Sequence, residues 1–79
     1  MPMEPVARSP ARRLLRRMVR LYAEAGQPLP STLVLARSLG VTAWTVQHTL
    51  GVMHDAGEIT IYGAGRRRIV VFPDGKRTT

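Results

Sequence analysis

Residues 29–59 read LPSTLVLARSLGVTAWTVQHTLGVMHDAGEI and contain two short apolar segments separated by Gly40. In the first segment Leu35, Ala36 and Leu39 recur at the three- and four-residue spacing of a helix. Gly40 follows at the position where a helix C-terminus favours a residue that tolerates positive φ. The first segment therefore predicts a short helix that stops at a tight turn.

The second segment begins after Thr42, whose hydroxyl can accept a hydrogen bond from the free amides of a new helix. Val46, Leu50 and Met53 then form another apolar stripe, which ends before Gly57. Together the two segments predict a helix-turn-helix, in which the second helix is the element that enters a DNA groove.

The chain has 79 residues, enough for one domain that buries about 60 % of the surface exposed when unfolded. It has no cysteine, which excludes disulfides, thiolate metal sites and cysteine nucleophiles. No apolar run approaches the roughly 20 residues of a membrane span, and the N-terminus lacks the apolar region of a secretion signal. We expect a cytoplasmic protein that does not bind membranes.

The charge balance is strongly basic, with twelve basic and five acidic residues and a net charge of +7. A small domain of this charge is attracted to polyanions, of which nucleic acid is the usual one. Eleven of the basic residues are arginine. This preference suits bidentate phosphate and guanine contacts, and it also arises from a GC-rich genome.

Before the helix-turn-helix, a first helix is predicted from Ser9 as N-cap, with Pro10 at its first position, to Gly26. Residues 1–8 are expected to be a flexible arm. The apolar residues fall within an arc of roughly 160° on this helix, and five arginines occupy the opposite side. The sequence leaves three interpretations of these arginines open: they form the solvated face of a packed helix, they contact the DNA backbone, or they contact a membrane surface. The members of the apolar arc are Ala11, Leu14, Leu15, Met18, Val19, Leu21, Tyr22 and Ala25, and the arginines are Arg12, Arg13, Arg16, Arg17 and Arg20.

The second helix is predicted from the N-cap Ser31 to Leu39, and it is more apolar than a surface helix requires. This surplus is a candidate partner surface, as is Val52. The third helix is predicted over residues 43–56, with exposed residues in its first two turns that a recognition helix presents to base edges.

For three side chains of this third helix, the sequence predicts a contact or a placement. Gln47 can bond adenine through a bidentate amide, and His48 can donate to guanine or to phosphate. Trp44 has two equally good placements: exposed against a thymine methyl or a sugar, or folded back onto the core.

After Gly57 the apolar period changes from helical to alternating. Residues 59–62 and 68–72 predict two strands joined by a glycine-rich turn over 63–65. Three consecutive arginines, Arg66, Arg67 and Arg68, are expected to project from the return strand toward a minor groove or phosphates. The polar tail 74–79 is expected to be frayed, which limits the folded domain to residues 9–73.

These residues carry a resemblance to the winged helix-turn-helix domains of bacterial transcription regulators, and most closely to the GntR type. The resemblance implies mainly α structure with a small β hairpin (three helices and a wing), recognition by the third helix, and binding as a dimer to a palindromic or repeated site. It also implies a bacterial protein associated with the nucleoid. The matching positions are Leu29-Pro30-Ser31, Leu35-Ala36, Leu39-Gly40-Val41-Thr42, Thr45-Val46, Leu50, Gly57 and Ile59.

The sequence also departs from the pattern of that family at specific positions. Thr32 and Leu33 stand where the family usually has an acidic-basic pair, and Ala43 and Gln47 stand where it has arginines. Glu58 replaces an apolar residue. The family's arginine contacts therefore do not transfer to these positions, and we expect a domain that acts without the family's large effector-binding domain.

The sequence predicts a sequence-specific double-stranded DNA-binding protein, a small transcriptional regulator or repressor that binds as a homodimer. The alternative is an interaction module that binds RNA polymerase or a replication factor. No paired carboxylates, metal-ligand cluster or phosphate-binding glycine loop is visible, so we expect no enzyme activity, cofactor or metal. The residues expected at DNA are Ser31, Thr32, Thr42, Ala43, Trp44, Thr45, Gln47, His48, Arg66, Arg67 and Arg68.

Overall fold

The computed structural model describes residues 10–79. The predicted N-terminal arm and the predicted cap Ser9 lie outside these residues. Three helices are followed by a small antiparallel hairpin, an architecture that is mainly helical and compatible with a winged helix. The elements are α1 (Pro10–Ala25), α2 (Thr32–Leu39), α3 (Ala43–Asp55), β1 (Thr60–Tyr62), a 3-10 turn (Gly65–Arg67) and β2 (Ile69–Val71).

The caps of α2 and α3 form as the sequence predicts. The Ser31 hydroxyl accepts from the amide of Val34, and Gly40 ends α2 in the left-handed conformation with φ of 69°. The Thr42 hydroxyl accepts from the amide of Thr45 at 3.1 Å and starts α3. Because each cap satisfies amides or carbonyls that the helix leaves free, the corner between α2 and α3 is fixed locally.

The hydrophobic core lies where all three helices meet the inner face of the hairpin. α3 contributes the predicted apolar stripe, and buried residues of the other elements pack around it. The fully buried side chains include Leu15, Val19, Leu35, Val46, Met53, Ile59 and Val70.

The core-facing side of α1 differs from the prediction. The buried residues of α1 are Arg12, Leu15, Val19 and Ala23, whereas Leu14 is 49 % exposed and Leu21 is 63 % exposed. At about 100° per residue, the centre of the buried stripe lies roughly 85° around the helix from the centre of the predicted apolar arc.

Two arginines of α1 also depart from the prediction of a solvated face. Arg12 is buried, and its guanidinium lies 2.8 Å from a carboxylate oxygen of Glu58. Arg20 donates to both oxygens of Asp74 and lies over the ring of Phe72, 5.0 Å from its centroid. Because carboxylates at positions 58 and 74 meet this side of the helix, these arginines pair within the fold.

In the hairpin, Ile61 lies opposite Val70 and Tyr62 lies opposite Ile69. The amide of Ile61 donates to the Nδ1 atom of His54 at 3.1 Å, which ties β1 to the last turn of α3. The hairpin is thereby attached at its base to α3, while its glycine-rich tip extends away from that attachment.

The tail 74–79 is not frayed, in contrast to the prediction. Its backbone turns back after Phe72, whose amide donates to the carbonyl of Lys76, and forms an antiparallel bridge between Val71 and Arg77. Thr78 is completely buried, and it bonds the amide and the carbonyl of Val70. The tail therefore covers the outer edge of β2, which would otherwise be an open strand edge.

None of the helices within residues 10–79 is long and apolar enough to cross a membrane.

Candidate nucleic-acid interface

A groove lies between the start of α2, the first two turns of α3 and the tip of the hairpin. Its volume is about 730 Å³. Six of the residues that the sequence predicts at DNA line this groove, because the tight corner at Gly40 brings both helix starts to the side where the hairpin tip lies. The lining residues are Leu29, Ser31, Thr32, Leu33, Ala43, Gln47, Gly65, Arg66 and Arg68.

The exposed face of α3 begins beside this groove. Gln47 and His48 are both exposed, so their amide and imidazole groups are available to a ligand. Trp44 is 68 % exposed, which selects the outward placement of the two that the sequence allows. Its ring stacks on the ring of His48, with centroids 4.8 Å apart and planes at 6°. The stack orders both side chains on the surface before any ligand binds.

Two of the predicted contact residues in α3 have structural tasks. Thr42 caps the helix, and its hydroxyl lies 2.9 Å from the hydroxyl of Thr45. Thr45 is half-buried, and its carbonyl accepts from the hydroxyl of Thr49. These two residues therefore hold the start of the helix in place, and neither lines the groove.

At the hairpin tip, Arg66 and Arg67 are exposed on the 3-10 turn instead of on the return strand where the sequence placed them. Gly63 permits this turn: its φ is 76°, and a Cβ atom there would lie 3.0 Å from the carbonyl oxygen of Arg67. Neither arginine forms an ion pair with any residue in the described range. Both charges are therefore available to an external anion.

The prediction of three projecting arginines is wrong for Arg68. Its guanidinium turns inward and donates to the carbonyls of Pro30 at 2.9 Å and Gly65 at 3.2 Å. Burial lowers the pKa of this guanidinium from its ordinary value. Its Nε atom is buried with no acceptor in residues 10–79. Arg68 thus ties the hairpin to the start of α2 and forms one wall of the groove, a task for which the sequence carries no separate signal.

The charges are distributed unevenly over the molecule. The acidic side chains Glu24, Glu58 and Asp74 all pair with arginines of α1. No described carboxylate lines the groove, so no lining residue neutralises the charges of Arg66 and Arg68. The groove can therefore attract an anion.

Sequence reasoning missed Leu29, Leu33 and Gly65 as groove residues. Leu33 carried a signal, because it belongs to the apolar surplus of α2, and it is 52 % exposed. Leu29 and Gly65 carried none, since their place depends on how α2 and the hairpin tip approach each other.

The two histidines have separate contacts in the structure. His48 stacks on Trp44, and the Nδ1 atom of His54 accepts a backbone amide. Within residues 10–79 no three His, Cys, Asp or Glu side chains group together as metal ligands would.

Comparison with protein-family models, with curated proteins and with solved structures finds no match to this chain. The likeness to GntR-type winged helices stays a prediction from the quoted residues.

Proposed function

We propose that this chain is a winged helix-turn-helix protein that binds double-stranded DNA through the groove and the exposed face of α3. The observation that supports the proposal most directly is that Gln47 and Arg66, which are 19 positions apart in sequence, line the same carboxylate-free groove. A helix with exposed hydrogen-bonding groups beside unpaired arginines provides both base and phosphate contacts from one side.

In this proposal α3 enters the major groove with its first two turns. The Gln47 amide pairs with an adenine edge, and the His48 imidazole donates to a guanine acceptor or to a phosphate. Trp44, held by its stack on His48, packs against a sugar or a thymine methyl. These contacts supply sequence preference.

The hairpin tip supplies affinity. Arg66 and Arg67 contact phosphates or the adjacent minor groove, and the position of the tip is set by the bonds from Arg68 to Pro30 and Gly65. Because Arg68 braces the hairpin against α2, the arginines of the tip are held at a defined distance from α3.

A single module of this size buries about 600 to 1,000 Å² on DNA, which limits its specificity. We propose that two copies occupy adjacent half-sites, as the resemblance to GntR-type regulators implies, and that the protein regulates transcription by occupying its site.

The test is a mobility-shift titration on random-sequence duplex DNA across a salt series. Replacing Arg66 and Arg67 together by alanine should weaken binding and reduce the slope of log K against log salt by about two, since each phosphate contact contributes about 0.9. The matched control is Arg13→Ala with Arg16→Ala, which removes the same charge from exposed positions of α1.

The control variant should keep the wild-type slope. Equal losses in the two variants would show that only net charge matters and would reject the groove as the DNA site. Absence of binding by the wild-type chain at low salt would reject the proposal and favour a protein partner such as RNA polymerase.

A further inference from the structure

α1 has an apolar strip that the core of the molecule does not cover. Leu14 and Leu21 are mostly exposed, Met18 is half-buried, and Ala25 is exposed. The strip arises because the buried stripe of α1 is displaced around the helix from the centre of its apolar residues. One side of the apolar arc packs on α2 and α3, and the other side faces outward.

The strip extends along nearly the full length of α1. Ala11, Leu14, Met18, Leu21 and Ala25 follow one another at intervals of three, four, three and four residues. This is the spacing of the a and d positions in a heptad repeat, whose side chains interlock with those of a facing helix.

The charges beside the strip indicate which helix faces it. Arg17 and Glu24 lie seven residues apart along one flank, both exposed. If a second α1 packs antiparallel with Met18 opposite Leu21 of the second copy, Arg17 lies near Glu24 of the second copy, and the same contact occurs twice. In this register Leu14 also packs opposite the small side chain of Ala25 of the second copy.

We infer that this strip is the site at which two copies of the chain associate, through an antiparallel α1–α1 contact with two-fold symmetry. An isologous contact of this kind is self-complementary and closes at two copies. Glu24 already accepts from Arg20 of its own helix at 2.9 Å, through one carboxylate oxygen. The other oxygen is the partner for Arg17 of the second copy.

The strip and the DNA groove are separate surfaces. No residue of α1 lines the groove between α2, α3 and the hairpin tip. A small cleft beside the strip is instead lined by Met18, Leu21, Tyr22, Gln27 and Ser38. Both surfaces are therefore available at once, and a two-fold symmetric pair presents two recognition helices to a palindromic site. In this respect the inference rests on the proposed function.

Sedimentation equilibrium of the full chain without DNA tests the contact. The wild type should show a monomer–dimer equilibrium, and Leu21→Glu should weaken association by at least about tenfold, because it places a charge in an apolar interface. Leu33→Glu, at an exposed leucine of α2, is the matched control and should associate like the wild type in the absence of DNA. Circular dichroism should show unchanged helix content in both variants.

A charge exchange tests the register. Arg17→Glu should weaken association, because two carboxylates then meet at both contacts, and adding Glu24→Arg should restore it. A double variant as weak as the single variant would overturn the antiparallel register. A wild type that stays monomeric up to millimolar concentration, or a dimer that Leu33→Glu dissociates and Leu21→Glu does not, would overturn the inference.

Two further measurements separate this inference from membrane binding and from the proposed function. Flotation with vesicles of phosphatidylcholine alone, which carry no net charge, should recover no protein; recovery that Leu21→Glu abolishes, with a monomeric wild type, would assign the strip to a membrane and overturn the inference. A dimer that binds no DNA would reject the proposed function and leave the contact standing, whereas a monomer that binds DNA would do the reverse.

Discussion

Thr78 provides the sharpest test of the fold, because the sequence predicts it in a frayed tail and the structure buries it completely. Its hydroxyl accepts from the amide of Val70 at 2.9 Å, and its own amide donates to the carbonyl of Val70 at 3.0 Å. In the hairpin ladder Val70 lies opposite Ile61, whose amide points away from β2 to His54. Both backbone groups of Val70 therefore depend on Thr78.

The perturbation is Thr78→Val, which keeps the shape of the side chain and removes the acceptor. The amide of Val70 then remains buried without its partner, which costs about 2 kcal/mol. For a domain of this size, that loss lowers the melting temperature by roughly 10 °C. Thr78→Ser keeps the hydroxyl and removes one methyl group, so it should cost only about 1 kcal/mol.

Thermal and urea unfolding followed by circular dichroism measure these differences, and amide hydrogen exchange at Val70 localises them. Thr79→Val is the control, because this exposed residue bonds only through its backbone amide to Gln27. It should change the stability by less than about 0.5 kcal/mol. If Thr78→Val is as stable as Thr79→Val, and the Val70 amide exchanges as fast in the wild type as in the variant, the tail does not cover β2.

Three other predictions follow from the packing and the charges. Leu15→Ala should destabilise the fold by about 3 kcal/mol, because it opens a cavity in the core, whereas Leu14→Ala should cost less than about 1 kcal/mol when measured on dilute monomer by urea unfolding. Gly40→Ala should cost about 1 kcal/mol through backbone strain alone, since its φ is 69° and nothing lies within 4 Å of the added Cβ atom; stability equal to wild type would contradict the left-handed turn. The hydrogen bonds from Arg20 lower the pKa of Asp74 to about 2, so this pair stabilises the fold fully above the unfolded pKa near 4, and its contribution is lost as the pH falls toward 2. Acid titration of stability should therefore be flatter for Asp74→Asn than for the wild type in that interval, and identical curves would show that the pair does not form.

The candidate site was predictable from the sequence to the extent that it depends on local signals. Gln47 and His48 are exposed because Val46 and Leu50 direct the opposite side of α3 to the core. Arg66 is at the groove because a glycine-rich turn places it at the hairpin tip. Arg68 was not predictable, since the acceptor that turns it inward is the carbonyl of Pro30, 38 residues earlier.

The sequence by itself determined the helix starts and stops of α2 and α3 and the position of the hairpin. Ser31, Gly40 and Thr42 act on backbone groups within a few residues, so their effect does not depend on the rest of the fold. Apolar spacing likewise specified which side of α3 is buried.

Only the tertiary structure decided which part of the apolar arc of α1 faces the core and where the tail lies. An apolar arc wider than the available core surface has more than one way to pack, and the choice was made by contacts such as Arg12 with Glu58, distant in sequence. The tail was decided in the same way, because the two bonds that hold Thr78 exist only once β2 has paired with β1 and turned its outer edge toward it.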